Sequence, residues 1–389
     1  MADGPAQVGL ALRYGTNPHQ AHARTWLEGG RLPFAVLNGA PGYINLLDAL
    51  NAWQLVRELR EATGLAAAAS FKHVSPAGAA VAVPLSDAER AACFARGELS
   101  APATAYARAR GTDRVSSYGD WIALSDPVDE ATARLIRPEV SDGIIAPGYE
   151  PGAVELLSAK KGGGYHVLEI DAGYRPPELE RRTVFGVTLE QARNDRAFDA
   201  DTLAAAGLPA EVVRDLTVGL IALKYTQSNS VCLCAHGQTI GVAAGQQSRI
   251  HCTRLAIAKA RTWLLRQHPR ALGLRFRRGV RRPDRDTAVA CYVERGLTGP
   301  DGEALAAHLE ERPEPIPADE ERSWIAAFPA LSLCSDGFFP NRDNVDVAGG
   351  FGVRSIAQPG GSAFDDAVEA ACRDHGIAMV KTGTRLFHH

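Results

Sequence analysis

The stretch from Lys224 to Arg254 constrains the fold of this chain more than any other part of its sequence. Apolar residues alternate with other residues on both sides of the pair His236-Gly237, and this period of two predicts a β-hairpin. Six polar residues, 225–230, stand immediately before the first strand. Polar side chains are costly to bury without hydrogen-bonding partners, so this run favours a binding site over a plain structural hairpin, which would show the same strand spacing.

A helix is predicted directly after the hairpin. Gly245 ends the second strand, and residues 249–268 have the apolar spacing of a helix, with Ser248 as the expected N-cap. Free backbone N–H groups and the helix dipole point at such a corner, and Arg249 adds a positive charge. The sequence therefore predicts an anion site where the second strand meets the helix.

Composition excludes several classes of protein. A length of 389 residues allows two domains or one large one, and 46% hydrophobic and 22% charged residues are ordinary for a soluble protein. A net charge of −3 argues against nucleic-acid binding. The sequence has no apolar run long enough to cross a membrane and no signal-peptide pattern, so we expect a cytoplasmic protein without membrane contact.

The cysteines indicate a reducing compartment rather than a metal site. Seven cysteines, with no CxxC pair, fit free thiols in the cytosol. Cys232 and Cys234 lie two apart on a predicted strand and so face the same side, where we expect them to pack rather than to bind a metal. The zinc-deaminase signature and the glycine-rich phosphate and dinucleotide loops are also absent from the sequence.

A second candidate site lies near the start of the chain. Residues 45–62 have helical spacing, and the small apolar residues 65–70 predict a buried strand that ends near Lys72 and His73. A turn is expected after them, in the segment that contains Pro76 and Gly78. Lysine and histidine at a strand end are suited to acid–base chemistry, because imidazole exchanges protons near pH 7.

Six segments, taken in chain order, closely resemble the transformylase part of the bifunctional purine biosynthesis proteins. This resemblance covers nearly the whole chain and implies formyl transfer from 10-formyltetrahydrofolate, a co-substrate, to aminoimidazole carboxamide ribonucleotide (AICAR). It also implies an α/β fold of two related cytidine-deaminase-like lobes, residues 1–175 and 216–389, joined by a mainly helical linker, 176–215. The segments are LRYGTNPHQ, SFKHVSPAGAA, EVSDGIIAPGYE, KYTQSNSVCLCAHGQTIGVAAGQQSRIHCTRLA, DGFFPNRDNVD and RLFHH.

The resemblance also implies roles for individual residues. His73 matches the proton acceptor, Lys72 the cation that stabilises developing negative charge, and Asn229 a residue that orients the reacting groups. His73 and Asn229 also match positions that contact the nucleotide. The other positions that match nucleotide contacts are Arg13, Tyr14, Gly119, Asp142, Arg249, Phe338 and Arg385. The positions that match folate contacts are Ile250, Asp343, Ser362 and Ala363. The resemblance implies no metal and a homodimer with active sites between the subunits.

The sequence departs from the family pattern in three places. Eleven residues precede Leu12, where the family carries its cyclohydrolase domain, so ring closure of the product is expected from a separate protein. Asn341 stands where phenylalanine is usual and Thr287 where asparagine is usual, both expected on the folate side. These departures leave two alternatives open, namely a paralogue that formylates a related amine and an inactive nucleotide-binding regulator.

Overall fold

A computed structural model describes residues 9–197 and 200–389 of the chain. Within these residues there are fifteen strands. They are β1 (Gly9–Ala11), β2 (Arg24–Trp26), β3 (Phe34–Asn38), β4 (Ala67–Lys72), β5 (Ser75–Val81), β6 (Asp120–Leu124), β7 (Ser141–Ala146), β8 (His166–Ile170), β9 (Leu179–Val184), β10 (Val187–Ala192), β11 (Val231–Ala235), β12 (Gln238–Ala243), β13 (Leu331–Ser335), β14 (Val353–Gln358) and β15 (Ala378–Lys381).

The same described ranges contain fourteen α-helices and a short 3₁₀ helix, Lys160–Gly163. The α-helices are α1 (Tyr43–Thr63), α2 (Asp87–Ala92), α3 (Ala101–Gly111), α4 (Glu130–Ile136), α5 (Pro151–Ser158), α6 (Ala200–Ala204), α7 (Ala210–Lys224), α8 (Arg249–Arg266), α9 (Pro269–Leu272), α10 (Arg282–Arg295), α11 (Gly299–Ala306), α12 (Ala318–Ala326), α13 (Asp343–Phe351) and α14 (Asp365–His375). No helix among them combines the length and the apolar character needed to cross a bilayer.

One mixed sheet of eleven strands forms the framework, in the order β15-β14-β13-β11-β12-β5-β4-β6-β7-β8-β3. Its two halves repeat one pattern. In the first half the hairpin β4–β5 pairs antiparallel with β6, and β7 and β8 follow in parallel. In the second half the hairpin β11–β12 pairs with β13, and β14 and β15 follow in parallel. The predicted α/β class is confirmed; the likeness to cytidine deaminases and the lobe boundaries stay predictions.

The two halves meet where β12 pairs with β5, with Gln238 opposite Ala80. Thr239 reinforces this junction, because its hydroxyl accepts a hydrogen bond from the Ala79 N–H at 3.0 Å. Thr112, at the end of α3, donates its hydroxyl proton to the Thr239 carbonyl at 2.6 Å. All of these groups are buried. The halves therefore share one continuous sheet and one interior.

Helices cover both faces of the sheet, which explains the almost unbroken apolar strands. In the first half, α1 packs on one face and α3, α4 and α5 pack on the other. In the second half, α7 packs on the face shared with α1, and α8, α13 and α14 pack opposite. Strands β4 and β11 are consequently buried on both sides, and only Lys72, the last residue of β4, is partly exposed.

The hairpin predicted around His236-Gly237 is confirmed. Both residues have positive φ, 54° and 75°, the conformation of a type I′ turn. The helix predicted at 45–62 is confirmed as α1, and the helix after the hairpin begins at Arg249. Ser248 occupies the N-cap position, but its side chain makes no capping hydrogen bond.

The turn predicted in the segment containing Pro76 and Gly78 is wrong, because both residues lie within β5. The chain reverses direction before this segment, at His73 and Val74, which form a two-residue turn between the paired residues Lys72 and Ser75. A proline in β5 misled the prediction: its missing N–H is tolerated beside a register shift between Ser70 and Phe71.

The segment expected to be a mainly helical linker begins instead with a β-hairpin, β9 and β10. Phe185 and Gly186 form its turn with φ values of 51° and 79°. Arg181 and Glu190 face each other across the strands, with Nε to Oε2 at 2.6 Å. The many charged residues hid this hairpin from sequence reasoning, because no buried face imposes a clear period of two.

Candidate functional site

Sheet topology places most of the predicted site residues at one edge. Strands β4, β13 and β14 end at this edge, and β5, β6, β7 and β11 begin there. Loops at such an edge carry the ligand sites of many open α/β sheets. Two groups of residues lie here, one from each half of the sheet, which we call the first-half cluster and the second-half cluster.

Asp336, directly after β13, is the centre of the second-half cluster. Its Oδ2 accepts hydrogen bonds from the Ser228 hydroxyl at 2.6 Å and the Ser230 N–H at 3.0 Å. Its Oδ1 forms an ion pair with the Arg249 guanidinium. The carboxylate is fully buried, so it ties the start of β11, the start of α8 and the end of β13 together.

Asn229 is held in a fixed orientation by this cluster. Arg249 Nη2 donates to Asn229 Oδ1 at 2.6 Å, and Asn229 Nδ2 donates to the Gln246 carbonyl at 2.9 Å. Arg249 Nη1 also donates to the Ser230 carbonyl at 3.1 Å. Because Asp336 balances the charge of Arg249, this arginine orients Asn229 within the chain in addition to any contact with an anion.

The C-terminal residues belong to the same cluster. The Ser228 N–H donates to the His388 carbonyl, and the His388 N–H donates to the Ser228 hydroxyl, both at 3.1 Å. The guanidinium of Arg385 stacks 4.6 Å from the ring centroid of Phe387. Phe338, two residues after Asp336, presents a half-exposed ring. The structure thus places Asn229, Arg249, Phe338 and Arg385 in neighbouring segments at this edge, and their contacts with a nucleotide stay predictions.

Lys72 and His73 form the first-half cluster with Gly119 and Asp142. Lys72 Nζ donates to the Tyr118 carbonyl at 2.6 Å, next to Gly119. Gly119 has a φ of 75°, and the space above its Cα is open. Asp142, at the start of the neighbouring strand, pairs with Lys161 at 2.6 Å.

The turn that carries His73 is strained. His73 and Val74 both have positive φ, 54° and 57°. A β-branched residue such as valine rarely adopts this region, and each such residue costs about 1–3 kcal/mol. Strain of this kind persists only where the surroundings impose it, and it concentrates at functional sites.

Asp48, on α1, imposes this turn, and sequence reasoning did not identify it. Its Oδ1 accepts the Val74 N–H at 2.7 Å, and the side chain is buried. Burial raises the pKa of the Asp48 carboxyl to about 6 from its ordinary 3.8; the hydrogen bond from Val74 and the nearby His73 act in the opposite direction. The nearby Asp142 carboxylate raises this pKa further.

Replacing Asp48 with asparagine tests this arrangement. Because the folded-state pKa lies above the unfolded-state value, ionisation costs the folded protein about 3 kcal/mol above about pH 6 and nothing below about pH 4. Asparagine keeps an oxygen for Val74 and removes the charge. Asp48→Asn is expected to raise the free energy of unfolding by about 1–3 kcal/mol at pH 8 and to change it little at pH 4.

Denaturant titrations at the two pH values measure this difference. Asp48→Ala is the matched control, because it removes both the charge and the acceptor of Val74, leaving a buried N–H without a partner. A stability loss in Asp48→Asn at pH 8 that equals the loss in Asp48→Ala would show that the carboxylate charge itself holds the turn.

Arg13 and Tyr14 follow β1 in a loop closed by a hydrogen bond from the Gly15 N–H to the Gln20 carbonyl at 2.7 Å. The guanidinium of Arg13 lies 5.8 Å from the ring centroid of Tyr14. Within residues 9–197 and 200–389, neither side chain hydrogen-bonds to a member of either cluster. The structure therefore does not join this predicted pair to the rest of the site.

The residues predicted for folate lie beside the second-half cluster. Ile250 is in the first turn of α8, and Asp343 is the first residue of α13. These helix starts are joined by the Thr253 hydroxyl, which donates to Asn344 Oδ1 at 2.8 Å. Ser362 and Ala363 follow β14 in a loop whose Ser362 N–H donates to Asp365 Oδ1 at 3.0 Å.

The two departures from the family pattern lie in different places. Thr287 lines a cavity of about 360 Å³ together with Lys72 and Tyr118. Asn341 is exposed and lies just before α13. Within the chain Thr287 therefore lies beside the first-half cluster, and the expected place of both residues on the folate side stays a prediction.

The two clusters touch but do not coincide. The Gln227 N–H, near Asn229, donates to the Ser75 hydroxyl, near His73, at 3.4 Å. Neighbouring strands lie about 4.8 Å apart, so the three steps from β4 to β11 span about 14 Å, and the six steps from β7 to β13 span about 29 Å. One small ligand cannot contact Asp142 and Asp336 of the same chain.

Comparison with known proteins identifies the family. The family model described as AICARFT/IMPCHase bienzyme matches residues 4–259. The bifunctional purine biosynthesis protein PurH of Synechococcus elongatus is 31% identical over 394 residues, in an alignment that covers 99% of this chain. The chain spans 60% of the length of that relative. The chain belongs to the AICARFT/IMPCHase bienzyme family.

Proposed function

We propose that this protein transfers a formyl group from 10-formyltetrahydrofolate to the amine of AICAR. Family membership supports formyl transfer in purine biosynthesis. The strained turn at His73 supports the proposal further, because it costs stability to hold His73, which follows Lys72 in the chain, in this conformation. A protein that only bound a nucleotide would need the anion contacts but not this pair.

The proposed chemistry requires both a base and a cation. The amine of AICAR is a poor nucleophile, because its lone pair is delocalised into the ring and the carboxamide. As the amine nitrogen attacks the formyl carbon, His73 accepts the amine proton, and Lys72 stabilises the negative oxygen of the tetrahedral intermediate. The bond from the formyl carbon to N10 then breaks, N10 takes up a proton, and tetrahydrofolate leaves.

Asn229 has the role of an orienting group in this proposal. Its amide is fixed by Arg249 and Gln246, so the substrate meets a rigid hydrogen-bonding partner. Preorganised contacts of this kind lower the entropy cost of reaching the reactive geometry. Asn229 would thereby hold the carboxamide of AICAR in line with the attacking amine.

An assay with the purified chain, AICAR and 10-formyltetrahydrofolate tests the proposal directly. We expect tetrahydrofolate release together with formyl-AICAR, identified by chromatography against a synthetic standard. Asn229→Ala, assayed in parallel, is expected to form product more slowly. Nucleotide binding without any product would leave a regulatory protein as the better interpretation, and product from a related amine but not from AICAR would favour a paralogue.

The proposal includes a cytoplasmic location. All seven cysteines are free thiols, as a reducing compartment requires. The two small-molecule substrates need no membrane contact. Fractionation of cells that express the full chain would show it in the soluble fraction.

The proposal also includes a homodimer whose active sites combine the first-half cluster of one copy with the second-half cluster of the other. The spacing of about 29 Å between the outer members of the two clusters in one chain supports this arrangement. A second copy can bring complementary clusters together, since a twofold axis makes two equivalent pairs.

The hairpin β9–β10 supports a second copy as the partner. The apolar side chains of Leu179, Val184, Val187 and Leu189 are at least half exposed, and that of Phe185 is fully exposed. Exposed apolar groups on a two-stranded hairpin indicate a covered surface, because an isolated hairpin is marginally stable in water. The hairpin lies near the second-half cluster, because Glu180 of β9 is close to His388. Burial lowers the pKa of the His388 imidazole, and the Glu180 carboxylate acts in the opposite direction.

Phe185→Asp is expected to convert the dimer to a monomer and to lower formyl transfer in proportion. The Phe185 side chain is fully exposed in the single chain, so the substitution should not lower the melting temperature of the monomer. Sedimentation across a concentration series, paired with specific activity, measures both effects.

Leu272→Asp, at a partly exposed leucine of α9, is the control for a surface charge elsewhere. It should leave assembly and activity unchanged. A Phe185→Asp monomer with full activity would contradict the shared site, and a dimer that survives the substitution would exclude the hairpin as the contact.

A further inference from the structure

Three cysteine thiols meet in the interior of the second half of the sheet. Cys232, Cys234 and Cys334 are fully buried, and their sulfur atoms all lie within 4.8 Å of one another. The Sγ atoms of Cys232 and Cys234 are 3.7 Å apart. We call this group the three-thiol cluster. It lies on the far side of β11 from α8 and takes no part in the proposed reaction.

Strand pairing explains why the thiols converge. Cys232 and Cys234 alternate onto the same face of β11, and Cys334 on β13 is the direct cross-strand partner of Cys232. The sequence predicted only packing for the first two, because the third thiol comes from a strand about a hundred residues later. The strand register therefore supplies a third donor that sequence spacing did not reveal.

Gly219 of α7 lets the three sulfur atoms pack against the helix backbone. A Cβ atom at Gly219 would lie 2.6 Å from Cys334 Sγ, 2.7 Å from Cys234 Sγ and 3.2 Å from Cys232 Sγ. A Cβ atom cannot approach sulfur so closely, so only glycine lets the three thiols converge here. Metal–thiolate bonds are about 2.3 Å for zinc. Three bonds of that length place the sulfur atoms about 3.8–4.0 Å apart, near the 3.7 Å between Cys232 and Cys234.

We propose that the three-thiol cluster binds one soft metal ion of the Cu(I) type. Thiolates are soft ligands that select Cu(I), zinc or iron–sulfur clusters. A structural zinc site takes four ligands, whereas the group in the described residues consists of these three cysteines alone. The apolar side chains that pack around the thiols include Leu216 and Leu220 of α7.

Binding needs no oxidant or reductant. Each thiol that becomes a ligand exchanges its S–H bond for a Cu–S bond and releases its proton to solvent, and copper stays in the Cu(I) state. Cys232 and Cys334 now direct weak thiol hydrogen bonds to the Gly219 and Leu216 carbonyls, each at 3.5 Å. Those bonds are lost on metal binding, which makes proton release a direct measure of ligation.

A bound ion would stabilise the two strands that carry the second-half cluster. Strand β11 begins directly after Ser230, and β13 ends directly before Asp336. An ion held by both strands fixes the start of β11 and the end of β13 relative to each other. Anything that binds the folded state alone raises stability, so loading should raise the melting temperature. Formyl transfer is not needed for this inference, which stands on the thiols alone.

Copper transfer to the full chain tests the proposal. The reduced protein, handled without oxygen, is titrated with the Cu(I)–bicinchoninate complex, and loss of chelate colour reports transfer. The same chain expressed in copper-supplemented medium is analysed for metal content, since a buried site can load during folding. We expect one copper ion per chain, three sulfur neighbours in X-ray absorption, and a higher melting temperature.

Two kinds of variant separate ligation from adventitious thiol binding. Cys334→Ser removes one ligand and is expected to weaken copper binding by at least about 10–100-fold, the loss seen when even a supporting contact is removed. Gly219→Ala keeps all three thiols but adds a methyl group that forces their sulfur atoms apart, and it should weaken binding as well. Cys93→Ser, at a buried thiol elsewhere, is the control and should bind as the parent does.

Three outcomes would overturn the proposal. They are the absence of copper from both preparations, equal copper binding by the parent and Cys334→Ser, and a site that retains zinc and excludes copper. If Cys334→Ser melts at a much lower temperature than the parent, the sulfur count from X-ray absorption of the parent decides, and fewer than three sulfur neighbours rejects the site.

Discussion

His73→Ala is expected to lower the turnover number of formyl transfer by about 10²-fold or more while the affinity for AICAR changes little. Proton transfer from the amine belongs to the transition state, so its loss affects the rate constant more than ground-state binding. Steady-state kinetics gives the turnover number, and calorimetric titration with AICAR gives the affinity on the same preparation.

Lys72→Ala extends the test to the residue immediately before the turn. It should also lower turnover, because the tetrahedral oxygen loses its cation. The double variant is expected to lose less than the product of the two single losses, since groups that act as a unit are not additive. Full multiplicativity would indicate that the two side chains act in separate steps.

A purely structural role for His73 predicts a different pattern. His73 has positive φ, a conformation that alanine adopts reluctantly, so His73→Ala can lose stability for reasons unrelated to proton transfer. His73→Asn controls for this, because asparagine tolerates the left-handed region but cannot act as the base. A stable His73→Asn variant with near-normal turnover would end the assignment of His73 as proton acceptor.

Sequence periodicity was sufficient for the elements that have a buried face. In the hairpin at His236-Gly237 apolar residues recur at every second position, and in the helix α1 they recur with helical spacing. The hairpin β9–β10 was missed for the opposite reason, since its side chains are exposed in the single chain and obey no burial pattern. A hairpin whose side chains are all exposed leaves little periodic signal.

The site residues that sequence reasoning missed act across long separations. Asp336 binds Ser228, 108 positions away, and Asp48 binds Val74, 26 positions away. Each is an ordinary aspartate in its own segment, and only tertiary contact gives it a role. Asp336 follows a strand and precedes a glycine, a position typical of site residues, so the sequence could have indicated it. Asp48 lies inside a helix, where the sequence has no comparable indication.

Asp336→Ala is expected to lower the free energy of unfolding by about 3–5 kcal/mol, because it leaves the buried guanidinium of Arg249 without its counter-charge. The Ser228 hydroxyl and the Ser230 N–H lose their acceptor in the same step. Formyl transfer should fall with it, since Arg249 no longer holds the Asn229 amide in place. Denaturant unfolding and the formyl-transfer assay measure the two effects.

A double-mutant cycle isolates the ion pair from the cavity that truncation leaves. Arg249→Met with Asp336→Ala removes both charges, so the double variant should lose less stability than the sum of the two single losses. The exposed pair Arg342 and Asp346 is the matched control, and Asp346→Ala is expected to cost less than about 1 kcal/mol. Additive losses at Arg249 and Asp336 would mean that their charges are screened from each other, and the second-half cluster would then depend on the serine hydrogen bonds alone.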